Sequence, residues 1–206
     1  MCIRDRDMAM TKPPVSTFTN GILMTGTCRN LQFENVTISD STGIAIHNYG
    51  SVTNLTIHQA VITNAGTTGF DSRYTGATLD GAMITDSLIT NVNSAGIFIQ
   101  DHYGLARDIL VDNVTVRGAG ETGVLIAPIY VEGSRNITVR NSTVTGAHTH
   151  GFYIQGRNSV VFENNTAMNC GDAAEEWGMW IRGISADTPL TADGPIRVIG
   201  NRNGAY

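Results

Sequence analysis

The stretches Gly96-Ile97-Phe98-Ile99, Gly151-Phe152-Tyr153-Ile154 and Gly178-Met179-Trp180-Ile181 decide how this chain is read. Each is a glycine followed by apolar residues at alternate positions, the mark of a short strand with one buried face. Working outward, the pattern recurs at Gly43-Ile44-Ala45-Ile46, Gly69-Phe70-Asp71-Ser72 and Gly123-Val124-Leu125-Ile126, with Gly21-Ile22-Leu23-Met24 ahead of them. From Gly43 to Gly178 successive glycines lie 26, 27, 27, 28 and 27 residues apart. A second alternating pair precedes each glycine: Leu31/Phe33, Leu55/Ile57, Ala82/Ile84, Ile109/Val111, Ile137/Val139 and Val160/Phe162, with Ile196/Val198 opening a further copy. Two residues after each pair stands a polar residue suited to a turn: Asn35, Gln59, Asp86, Asn113, Asn141 and Asn164.

No copy of this pattern can bury its apolar face alone. Stacking the copies pairs each strand with its equivalent about 4.8 Å along the axis and buries the faces together. The period predicts an all-β, single-stranded parallel β-helix of about six to seven coils. One inward column is expected to run Ile44, Phe70, Ile97, Val124, Phe152, Met179, and a second Ile46, Ser72, Ile99, Ile126, Ile154, Ile181. The polar turn residues are expected to form an Asn-rich ladder whose amides bond to neighbouring backbone.

Composition agrees with this reading. Charged residues are only 15% of the 206, and the 23 glycines are matched by comparably common Thr and Asn, all poor helix formers. A net charge of −5 argues against a nucleic-acid partner held by phosphate neutralisation. The absence of any apolar run long enough to span a bilayer argues against a membrane-embedded helix. Residues 1–6 resemble the translation of a transposase adapter used in sequencing libraries, which would make the chain a fragment of a longer protein. Residues 7–19 are expected to be irregular and 20–206 to form the solenoid.

From about Asn20 to Asn203 the repeats resemble the right-handed parallel β-helix superfamily, the pectin-lyase-like group. That resemblance implies the right hand and a secreted or cell-surface location. The superfamily hosts lyases, hydrolases, epimerases and non-catalytic spikes, so activity has to be argued from particular residues.

Two motifs are absorbed by the repeat. Asn35-Val36-Thr37, Asn54-Leu55-Thr56, Asn113-Val114-Thr115, Asn136-Ile137-Thr138, Asn141-Ser142-Thr143 and Asn164-Asn165-Thr166 match glycosylation acceptors, but four of these asparagines occupy the ladder position. Cys28 and Cys170 lie about five coils apart, on the order of 24 Å, too far for a disulfide.

The outward positions of the glycine strand carry the chemistry. One column is expected to read Ala45, Asp71, Phe98, Leu125, Tyr153, Trp180, and the next His47, Arg73, Gln100, Ala127, Gln155, Arg182. Aromatic faces stack on the apolar face of a sugar ring, and arginine grips a carboxylate with two prongs. A uronate-containing polysaccharide is therefore the expected partner. Arg73 and Arg182 would hold carboxylates, Gln100 and Gln155 would supply polar contacts, and Phe98, Tyr153 and Trp180 would be stacking positions. His47 and Asp71, beside Arg73, are the candidates for removing the proton next to a uronate carboxylate, the shared first step of a lyase and a C5-epimerase. Gly69-Phe70-Asp71 resembles the start of the Gly-Phe-Asp-Pro-His motif of mannuronan C5-epimerases. Ser72 and Arg73 stand where that family has Pro and His, so only Asp71 carries over.

A non-catalytic glycan-binding or structural solenoid, such as a spike or adhesin, is the alternative. A glycoside hydrolase is a second alternative, weakened because Asp71 is the only acid in the two outward columns. His148-Thr149-His150 could offer a metal-ligand pair but reads more simply as a solvated turn. With no zinc motif and no calcium-binding nonapeptide, no cofactor is expected, and Ca2+ would need another arrangement.

Overall fold

A computed structural model of the chain describes residues 4–6, 9–11, 20–74, 76–100, 106–119, 129–132, 134–156, 159–171, 178–183 and 196–204. Every described element is a strand, and all pairings are parallel between consecutive coils. Each full coil contributes one strand to each of three sheets. Sheet A stacks Arg4–Arg6, Thr27–Glu34, Ser51–His58, Thr78–Thr85, Ala106–Asp112, Arg135–Arg140, Val160–Glu163 and Ile196–Ile199. Sheet B stacks Ala9–Thr11, Thr37–Ser39, Val61–Thr63, Leu88–Val92, Thr115–Ala119, Thr143–Thr145, Thr166–Met168 and Arg202–Gly204. Sheet C stacks Ile22–Met24, Ile46–Asn48, Phe70–Ser72, Ile97–Gln100, Ile129–Glu132, Phe152–Gly156 and Met179–Gly183. The fold is a right-handed parallel β-helix. Short strands also form within the two N-terminal segments, where Arg4–Arg6 pairs Gln32–Glu34 and Ala9–Thr11 pairs Thr37–Ser39.

The core follows from the period-2 alternation. Leu31, Leu55, Ala82, Ile109, Ile137 and Val160 form one inward column of sheet A, and Phe33, Ile57, Ile84, Val111, Val139 and Phe162 form the other; all are buried. Ile38, Ile62, Ile89, Val116, Val144 and Ala167 close the core from sheet B.

The corner between sheets A and B is only two residues long and is made the same way in every full coil. Asn35, Gln59, Asp86, Asn113, Asn141 and Asn164 all have φ between 52° and 54°, and Gly200 completes the column at 65°. Left-handed backbone costs most residues about 1–2 kcal/mol, whereas the short polar side chains of Asn and Asp offset it locally. Two further left-handed columns are present: Asn30, Asn54, Asp108 and Asn136 within the sheet A strands, and Asp40, Asn64 and Asn169 just after sheet B strands with Asn91 near the end of one. All six glycosylation-like asparagines thus sit at left-handed positions. The ladder bonds differ from those expected. Asn54, Asn64, Asn113 and Asn136 donate to the side-chain oxygens of Asn30, Asp40, Asp86 and Asp108 one coil earlier, at 2.7–2.9 Å. Amide-to-backbone bonds occur one residue further on, inside the corner. There Asn165 Nδ2 donates to the Val139 carbonyl and Asn201 Nδ2 to that of Phe162.

The expected register of sheet C needs two corrections. Ile46, not Ile44, pairs with Phe70, and His47 pairs with Asp71. The chain reaches Gly43 two residues early, so Ala45 takes the position held elsewhere by Gly21, Gly69, Gly96, Gly151 and Gly178. That position is crowded: a Cβ on Gly69 or Gly151 would lie 2.5 Å from the carbonyl oxygen of the next coil. Ser72, the polar exception in its column, is answered by buried Asn48, whose Nδ2 donates to Ser72 Oγ at 3.0 Å and to the Thr78 carbonyl. In the fifth coil Ile129–Glu132, rather than the Gly123 motif, joins the sheet, with Ile129 opposite Ile97 and Phe152. Val124, Leu125, Ile126 and Ala127 lie outside the described residues. The segments whose length varies between coils all flank sheet C, which marks it as the face free to carry function.

Candidate functional site

The corrected register builds one outward column on sheet C from Leu23, His47, Asp71, Phe98, Tyr153 and Trp180, with the backbone of Tyr130 in register between Phe98 and Tyr153. Of the sequence-derived candidates, Asp71, Phe98, Tyr153 and Trp180 do share it. His47 belongs to this column too, opposite Asp71, and not to the column of Arg73 as expected. Gln100 lies in the adjacent outward column, and the backbone positions of Glu132, Gln155 and Arg182 follow it in register.

At the N-terminal end of this wall Arg73 organises its neighbours. Its Nε stands 2.9 Å from Asp71 Oδ2, its backbone N–H donates to Asp71 Oδ1 at 3.1 Å, and its guanidinium lies 4.6 Å from the centre of the Phe98 ring. Asp71 is fully buried beneath this arrangement and Phe98 nearly so, while Arg73 keeps about a third of its side chain exposed. The wall is therefore covered at this point rather than open. Burial pushes the Asp71 carboxyl up to about 6, against the Arg73 charge, the Arg73 N–H and the Thr68 hydroxyl, which all favour the ionised form. Desolvation outweighs these three together. Asp71 Oδ2 and the Thr67 and Thr68 hydroxyls are buried without an aligned hydrogen bond, so the Arg73–Asp71 contact is an ion pair whose N–H is not aimed at the oxygen. His47 is half-buried, and burial, then the nearby Arg73 charge, hold its imidazolium below the usual range. It is thus a neutral base near pH 7.

At the C-terminal end Tyr153 and Trp180 meet edge to face with ring centres 5.1 Å apart, and Trp180 remains 36% exposed. The His150 ring lies 5.0 Å from Trp180, nearly perpendicular to it. His150, read from sequence as a solvated turn residue, belongs to this wall. Tyr130 takes the register position opposite Phe98 for which the Gly123 motif suggested Leu125. Tyr49 and Tyr74 were also missed. Their rings stack 3.7 Å apart beside His47, and the signal available was Tyr49 two residues beyond it.

Sheet A offers a contrast. Asp80 pairs with Arg107, Asp112 with Arg140 and Glu163 with Arg197, so these cations meet an acid on the adjacent coil. Cys28 and Cys170 are free thiols. Among the described residues no cluster of three His, Cys, Asp or Glu side chains could hold a metal ion, and no helix is long and apolar enough to cross a membrane.

Three parallel sheets wound coil upon coil, with one wall rich in aromatic residues, define a solenoid of the kind used for carbohydrate-active or structural roles. Residues 127–186 match the family described as the right handed beta helix region, in agreement with the parallel coils that the described residues form. No match was found among curated proteins or among solved structures.

Proposed function

We propose that the outer face of sheet C binds an acidic, uronate-containing polysaccharide and abstracts the proton next to a uronate carboxylate. The observation that carries this reading is the neighbourhood of Arg73: a cation, a carboxyl poised near 6 and a neutral histidine, set in line with half-buried Tyr153 and exposed Trp180. Arg73 would meet the substrate carboxylate and stabilise the charge that grows on it as the adjacent C–H bond breaks. His47, uncharged at neutral pH, would accept that proton. Asp71 would hold Arg73 in place. Loss of a leaving group at C4 then gives a lyase, and return of a proton from the opposite face gives an epimerase. Tyr153 and Trp180 would seat sugar rings further along.

The complete burial of Asp71 favours a second reading, a binding module without turnover, because this acid cannot touch a substrate unless Arg73 swings away. Incubation with alginate and with pectin separates the two. Unsaturated-product absorbance or C5 inversion by NMR supports catalysis. Glycan retention without either product leaves the binding module, and no retention refutes both.

A further inference from the structure

Two exposed tyrosines, Tyr49 one coil before Arg73 and Tyr74 next to Arg73 in the chain, have no role in the core. Tyr49 and Tyr74 stack with ring centres 3.7 Å apart and planes 29° apart, yet remain 42% and 45% exposed. A pair that buries so little of itself contributes little to folding. It is nevertheless held firmly. The His47 ring meets Tyr49 edge-on at 5.5 Å. The Tyr49 backbone N–H donates to the Met24 carbonyl at 2.9 Å, fixing the strand end that carries it. A preordered aromatic surface loses little freedom on binding, which is what a stacking site for a sugar ring requires.

We infer that Tyr49 and Tyr74 form a second carbohydrate subsite, so that a glycan crosses Arg73 with rings held on both sides and the wall engages the interior of a chain rather than its end. This inference rests on the reading of sheet C as the glycan-binding face. It adds a direction. Tyr49 lies one coil before Arg73, whereas Trp180 lies four coil steps beyond Asp71, about 19 Å along the axis. Sugar contacts therefore extend unequally from the charged centre, with the shorter arm on the tyrosine pair.

The test is calorimetric titration with alginate and polygalacturonate oligosaccharides of graded length. The double variant Tyr49→Ala/Tyr74→Ala is compared with Tyr49→Phe/Tyr74→Phe and with Trp180→Ala. The alanine pair is expected to weaken binding of the longest oligosaccharides on the order of tenfold, equivalent to about 1.4 kcal/mol, while the phenylalanine pair, which keeps both rings, binds as the parent does. Tyr74→Ala alone, at a residue outside any strand, should give part of the same loss and guards against a folding defect in the pair. If both alanine variants bind long chains normally while Trp180→Ala weakens them, the tyrosine subsite is refuted and the sheet C face stands. If Trp180→Ala also has no effect, or the parent binds neither glycan, both fall.

Discussion

Replacing Asp71 by asparagine isolates the cost of keeping a carboxylate under Arg73. The side chain is fully buried, and its carboxyl is raised from an ordinary 3.8 to about 6. The folded protein therefore binds this proton more tightly than the unfolded chain. The contribution is fully present below pH 3.8, falls as pH rises toward 6, and is lost above it. A shift of about two units at 1.36 kcal/mol each gives about 3 kcal/mol, or about 6–12 °C in melting temperature for a chain of this size. Other acids, such as Asp80 held low by its hydrogen bond to Arg107, act in the opposite sense, so the informative quantity is the difference between parent and variant. Asp71→Asn keeps the shape of the side chain but cannot ionise. Melting curves at pH 4, 5, 6 and 7 should show the parent losing most of that amount relative to the variant between pH 4 and 7, the remainder being lost already below pH 4. Parallel pH profiles for the two proteins would refute the desolvation argument.

Three further outcomes follow from the same geometry. Phe152→Ala removes a fully buried ring that meets Phe162 edge to face at 5.2 Å, and should cost about 3–5 kcal/mol in denaturant unfolding. Asn113→Ala places an ordinary side chain at φ 53° and breaks the 2.7 Å bond to Asp86, for a loss of about 1–2 kcal/mol, most of which Asn113→Gly should recover. If turnover is found, its acid limb should lie below the ordinary histidine value of 6.5, because His47 stays neutral to lower pH. His47→Gln should then reduce the rate about 10²–10⁴-fold while glycan retention persists.

Sheets A and B were legible from sequence because their strands are joined by an invariant two-residue corner. Leu31/Phe33 and Asn35 keep the same spacing in every coil, so alternation and turn chemistry reinforce each other. Sheet C was harder. Its glycines mark a close approach to the next coil's carbonyl, and a segment of variable length can deliver a glycine early, as at Gly43, or leave Ala45 to fill the place. A two-residue slip keeps the inward and outward faces but changes the neighbours, which is how His47 moved from Arg73's column to Asp71's. The burial of Asp71 was not legible at all. It depends on how Arg73 folds back over Phe98, a lateral contact that no period encodes. The pairing of Tyr49 with Tyr74 also joins two coils, and the corrected register, which sets Tyr49 level with Arg73, brings the two rings near without fixing their stacking.

The most direct measurement is a crystal structure of the protein soaked with a uronate oligosaccharide. The account predicts density along sheet C, with a sugar ring on Trp180 and a carboxylate at Arg73. A ligand seated instead against sheet A or sheet B would contradict it.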